Sequence, residues 1–276
     1  MVSSKRLLVV AVAAVVVLTP LTLFMLVVAP PGFMYSHYTT YSYTTTVSTN
    51  STVENATVLL PFPVGDDVGA DPLSELWLYD DAGNRITDWD TAVVETPHGP
   101  MLRLHTDRLV GEDRYTLWTY ASNGSVIDRR IIDADEVPEN MTNRRLVPEP
   151  TSYSVGWQVT VDHDIETRYP IGNGSFLAPV DNVTSVDCRD PWTATDVCMS
   201  FSSVASVTYE SETPATVTLG EVRFEGWNEW GFGLSNSFNA FESSTTATTF
   251  TADRQGWTVL DGQLHAGMGR YDGPRR

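Results

Sequence analysis

The strongest signal along the chain is an alternation of apolar and polar positions with a period of two, the mark of a strand with one buried face. Over residues 153–164, Tyr153, Val155, Trp157, Val159 and Val161 fall on one side, and Ser154, Gln158, Thr160 and Asp162 on the other. Shorter runs rich in β-branched and aromatic residues occupy 101–107, 114–121, 203–210 and 215–224, separated by Gly, Pro, Asn and Asp. Trp77, Trp118 and Trp157 fall on strand patterns and are expected in the core. After residue 29 only 138–145, opening on Pro138 as a first helical residue, offers a turn or two of helix. The pattern therefore predicts an all-β, β-sandwich-like body.

Two hairpins stand out within it. Residues 76–87 and 117–128 share Leu, Trp, Tyr, Gly and Ile at a constant offset of 41, with turn residues between. Asn123-Gly124 predicts a type I′ turn, which needs φ > 0 at both central residues. Residues 133–150 hold three prolines and no strong strand pattern. They read as a linker or a long surface loop where the body could divide, although the first half alone is short of strands to close on itself.

A second kind of pattern occupies the start of the chain. Residues 7–29 form an uncharged stretch of 23 positions rich in Val, Leu and Ala. As a helix it would be about 34 Å long, enough for a hydrocarbon core of about 30 Å. Lys5 and Arg6 precede it, so the positive-inside rule places residues 1–6 in the cytoplasm and everything after the span outside. A cleaved signal peptide ending near Ala29 is the rival, but the apolar run is longer than an ordinary signal core, and Pro30 and Pro31 follow the only exit site. Residues 30–50 are then a juxtamembrane stem and first strand, with Phe33, Tyr35, Tyr38, Tyr41 and Tyr43 expected near the headgroups. Residues 51–276 form the ectodomain.

Charge sharpens this picture. The 276-residue chain carries 35 acidic and 17 basic residues, a formal net charge of −18, with Lys5 its single lysine. From Phe33 onward there are 35 acids against 15 arginines, a balance of −20. Such a body repels nucleic acid and, at low ionic strength, itself, so it suits a medium of molar salt, where the Debye length falls to about 3 Å. Six N-x-Ser/Thr sequons, at Asn50, Asn55, Asn123, Asn140, Asn173 and Asn182, fit an external, glycosylated surface. Cys188 and Cys198 are the only cysteines. Two thiols cannot build a four-ligand zinc cage, and in an oxidising exterior they are expected to pair.

The segments TVENATVLLPFP (52–63), GWNEWGFG (226–233) and GWTVLDGQLHAGMGRY (256–271), with the sparse cysteine pair, resemble haloarchaeal cell-surface and secreted proteins to which no activity is assigned. The resemblance implies an external compartment and salt adaptation, and it transfers no site residue.

Catalytic motifs are scarce. With no lysine beyond residue 5, a Schiff base, a Ser-x-x-Lys nucleophile and a phosphate-binding P-loop are excluded, and no zinc-protease, nucleophile-elbow or dinucleotide signature occurs. No cofactor or metal is expected. Asp162-His163-Asp164 is metal-like in composition, but alternation sends His163 to one face and both aspartates to the other. Asp66, Asp67 and Asp71, like His98 and His105, read as solvated or structural groups. Glu225 and Glu229 within 224–233 invite comparison with the carboxylate pair of a glycosidase, and the Asn228-Glu229 dipeptide with the acid residue of one hydrolase clan, whose barrel this chain has no helices to build. Trp227, Trp230 and Phe232 read first as core or hairpin-packing aromatics, with a sugar-stacking surface as the alternative. The expectation is a membrane-anchored surface protein with a structural or adhesive role, with carbohydrate recognition as the alternative and hydrolysis third.

Overall fold

The computed structural model describes residues 36–63, 73–112, 114–169, 176–188, 197–232 and 235–271, and these are all-β. Strand β1 (Ser36–Thr49) shows how the sequence drives the fold: Tyr41, Tyr43 and Val47 turn inward, while Ser42, Thr44 and Ser48 alternate with them toward the outside. On one edge β1 pairs antiparallel with β9 (Thr151–Val161) along its length. On the other it pairs first with β13 (Arg223–Phe232) and then with β12 (Thr216–Leu219). From β13 the sheet continues through β14 (Ser235–Thr245), β16 (Gly256–Gly269), β11 (Val197–Glu210), β2 (Val53–Leu60) and β5 (Gly99–Leu109) to β4 (Asp90–Thr96). Strand β3 (Trp77–Tyr79) flanks β9, β10 (Asp181–Ser185) flanks β11, and β15 (Thr248–Thr251) flanks β12.

The sheet curls, so its distant limbs close on one core. Tyr43 on β1 packs against Phe62, just beyond β2, and against Trp157 on β9. Trp157 in turn meets Phe224 on β13, which meets Phe241 on β14. All five rings are buried, and each contributes about 1.5–3 kcal/mol by leaving water. Two hydroxyls close the seam: Tyr43 donates to the carbonyl of Pro61 at 3.0 Å, and Tyr153 to that of Val110 at 2.7 Å. Burial pushes the Tyr43 phenol far above its ordinary pKa, so it stays protonated and can donate. Tyr41 and Tyr43 are thus core residues and do not sit at a headgroup layer, because they share the inward face of β1. Phe33 and Tyr35 lie outside the described residues.

A separate three-stranded sheet, in the order β7 (Val126–Asp133), β6 (Arg114–Tyr120), β8 (Arg144–Glu149), interrupts the main one. It corrects the expectation of a linker at 133–150, since β8 lies inside that stretch and pairs with β6 over its length. Pro148 is tolerated there because β8 is an edge strand. The main sheet draws strands from both sides of this stretch. Among the described residues the only helical turn is a 3-10 turn at Ala134–Glu136, ahead of the segment that Pro138 was expected to start.

The two similar hairpins share a turn, though a different one from that expected. Gly124 has φ 84°, but Asn123 is not among the residues with positive φ, which excludes type I′. Gly124 N–H donates to Ala121 and Ala121 N–H to Ser125; at the same offset of 41, Gly83 donates to Asp80 and Asp80 to Asn84. This is a type I turn closed by a left-handed glycine. Trp157 is fully buried, whereas Trp77 and Trp118 are only half-buried. Cys188 and Cys198 are joined by a disulfide, with Cα atoms 5.3 Å apart, stapling the chain after β10 to the start of β11.

Among the described residues no helix is long and apolar enough to cross a membrane. Residues 7–29 lie outside them.

Candidate functional site

The segment 223–232 is a regular strand, and its alternation decides which of its groups can act together. Phe224, Gly226 and Asn228 point into the body, while Glu225, Trp227 and Glu229 point out. Gly226 is required by close approach: a Cβ there would run into the ring of Phe241. Asn228 is buried, accepts the N–H of Ile165 at 2.9 Å, donates to the carbonyl of Ile165 at 2.8 Å, and donates to Asn239 Oδ1 at 2.7 Å. It pins the loop after β9 across the end of the sheet. The Asn228-Glu229 pair therefore faces two ways, and Asn228 is a structural clamp.

Trp230 likewise lies on the opposite face from Trp227, and the side chain of Phe232 lies outside the described residues. The three rings 227, 230 and 232 do not form one surface. Cross-strand pairing gathers a different set around Trp227. Tyr38 on β1 and Phe238 on β14 lie opposite Glu229 on either side, and they are 57% and 54% exposed. Thr40 and Ala240 flank Trp227 itself, and Met268 on β16 lies opposite Ala240. The result is an open groove of about 480 Å³ lined by Trp227, Phe238 and Met268, with Glu225, Glu229 and Asn236 supplying polar groups. Asn236 Nδ2 donates to Glu229 Oε1 at 3.2 Å.

One end of the groove carries a charge cluster. Arg223 reaches Glu221 at 3.4 Å, Glu225 at 3.6 Å and Glu242 at 3.5 Å. Glu225 and Glu242 are directly opposed across β13 and β14. Partial burial, and then the charge of Glu242, hold the Glu225 carboxyl above the ordinary glutamate range, against the lowering pull of Arg223. Glu225 and Glu229 are four residues apart on one strand, so their Cα atoms are about 13 Å apart. A glycosidase pair flanking one bond needs carboxylates about 5–9.5 Å apart.

The metal-like groups disperse. Asp164 pairs with His37 at 3.1 Å, and Asp162 with its neighbour His163 at 3.4 Å. His105 Nδ1 lies 3.0 Å from the Thr57 hydroxyl, whereas the His98 ring stacks edge-on against Trp257. Among the described residues no three His, Cys, Asp or Glu are grouped to hold an ion. Asp66, Asp67 and Asp71 lie outside the described residues.

Four of the sequon asparagines are exposed. Asn55 and Asn182 sit at irregularities in strand pairing with φ of 47° and 53°. The side chains of Asn123 and Asn140 accept the N–H of Ser125 and Thr142, two residues on, at 3.0 and 2.9 Å. Asn50 is half-buried and accepts the N–H of Thr216 at 2.8 Å, which ties the end of β1 to β12. Asn173 lies outside the described residues.

Phe238 and Met268 were not singled out by sequence reasoning, and Tyr38 was read only as a ring near the headgroups. Alternation within 36–44 and 235–245 marks their faces, but only strand order brings those faces beside Trp227. No family model matches the chain, and no curated protein or solved structure matches it either.

Proposed function

We propose that the chain is a membrane-anchored, glycosylated cell-surface protein of a halophilic archaeon with an adhesive role, exercised by carbohydrate recognition in the groove around Trp227. The observation that carries this reading is the pair of exposed rings, Tyr38 and Phe238, on either side of Glu229 and next to the half-buried Trp227, with Asn236 bonded to Glu229 as a second polar group. Flat rings bury the apolar face of a pyranose, and carboxylate and amide groups at the ring edges accept and donate to its hydroxyls. Ring stacking also survives molar salt better than ion pairing does. The uncharged stretch 7–29 behind Lys5 and Arg6 supports the anchor, and the exposed asparagines support glycosylation.

Glycan-array binding in molar salt tests the groove. Binding that is lost in a Trp227→Ala, Phe238→Ala variant of unchanged melting temperature supports carbohydrate recognition. Absence of binding by the parent protein returns the reading to a purely structural role, and turnover of a bound glycan that depends on Glu225 or Glu229 replaces it with hydrolysis. Accessibility of an Arg276 epitope to protease on intact cells tests the topology separately.

A further inference from the structure

The outer strand of the small sheet, β7, has β6 on one edge and no strand on the other among the described residues. Apart from Ile132, every residue of β7 is exposed, including Ile127 at 65% and Ile131 at 55%. An unpaired strand of eight residues with two bare isoleucines is a template for pairing, which proteins usually blunt with charged side chains, proline, a bulge or a covering segment. Here the charges are of both signs and arranged symmetrically. About Arg129 as centre, Ile127 mirrors Ile131 and Asp128 mirrors Arg130.

We infer that β7 is a homodimer interface, in which it pairs antiparallel with β7 of a second copy about a twofold axis at Arg129, joining two three-stranded sheets into one of six strands. In that register Ile127 lies opposite Ile131 of the second copy, and Asp128 opposite its Arg130, each pair occurring twice. The isoleucines fall on one face and the ion pairs on the other, as strand alternation requires. The one like-charge meeting is Arg129 with its own copy. It is relieved because each Arg129 guanidinium is drawn over its own Trp118, 4.9 Å from the ring centroid. Asp128, Arg130 and Arg129 have no ion-pair partner within the chain among the described residues. In a chain of net charge −18 most charge-driven contact between copies is repulsive, which makes this self-complementary strand distinctive. Its position leaves it accessible. β8 runs directly into β9 at Thr151, which lies beside Thr49, so the small sheet sits about 43 Å of strand away from Ser36, where the N-terminal segment joins.

The test is a charge swap with a register check in the full chain. Light scattering of the detergent-extracted protein should give twice the chain mass for the parent. Asp128→Arg or Arg130→Asp alone should give the chain mass, and the combined D128R/R130D exchange should recover the doubled value. Directly opposed residues bring Cα atoms to about 4.5–5.5 Å, within disulfide range. Arg129→Cys should therefore cross-link to its own copy on mild oxidation, and Ile127→Cys should do so only when combined with Ile131→Cys. A parent that is monomeric at every concentration, a dimer indifferent to both single charge reversals, or cross-linking of Ile127→Cys alone would each overturn the inference.

Discussion

Trp157 and Tyr43 are direct partners across β9 and β1, and their rings lie nearly parallel, 6° apart in plane with centroids 6.1 Å apart. Around this pair the two limbs of the curled sheet close, since Phe62 packs edge-on against both rings.

Removing the indole should therefore be expensive. Trp157→Ala should cost about 3–5 kcal/mol of unfolding free energy. Trp157→Phe should cost far less, because the buried indole N–H has no acceptor among the described residues and the phenyl loses area without losing a bond. Denaturant titration in molar salt measures both, and equal losses would show that the indole N–H is bonded.

The disulfide closes a short loop, with a sequence separation of 10 between Cys188 and Cys198. Reduction, or Cys188→Ser with Cys198→Ser, should lower stability by roughly 3 kcal/mol in the chain-entropy model while leaving the strand content intact. Circular dichroism and melting with and without reductant check this. Loss of the β signal on reduction would mean that the staple nucleates β11.

Glu225 should make the protein respond to pH. Its carboxyl titrates above the ordinary glutamate range in the fold, through burial and the facing Glu242, so the folded state holds a proton that the unfolded chain has released. Stability is unaffected by this group below the ordinary glutamate pKa, falls as pH rises through the interval up to the raised value, and stays lower beyond it. Glu225→Gln removes the penalty while Arg223 keeps Glu221 and Glu242. The variant should match the parent in melting temperature at low pH and exceed it at neutral pH. The reverse order at neutral pH would show that the Arg223 contact outweighs burial.

Salt should matter throughout. With 35 acids against 15 arginines from Phe33 onward, the β signal at about 0.1 M salt should be weaker than at about 3 M, as the Debye length falls from ~10 Å to below ~3 Å. A cooperative melt that is the same at both would contradict self-repulsion as the dominant surface term.

What the sequence determined by itself was local. Alternation over 153–161 marked β9 and placed Trp157 on the buried face, because side-chain direction in a strand depends only on parity. The spacing of Cys188 and Cys198 allowed a bridge, and the structure contains it. The shared offset of the two hairpins was legible as a repeat of turn chemistry, although the turn type was not, since Asn123 keeps a negative φ and leaves the left-handed position to Gly124. Parity within 224–232 already separates Trp227 from Trp230, and a motif taken as one surface was in fact two. Tertiary structure alone decided the rest. It gathered Tyr38, Phe238 and Met268 beside Trp227, because strand order in a curled antiparallel sheet is set by which limbs close on the aromatic core, and that is a long-range choice. It recruited residues 144–149 as β8 despite a weak pattern, since pairing with β6 satisfies their backbone groups whether or not their side chains have strand propensity. It also buried Tyr41 and Tyr43, which a linear reading places beside a membrane, because the closed core offers their rings more apolar contact than an interface does.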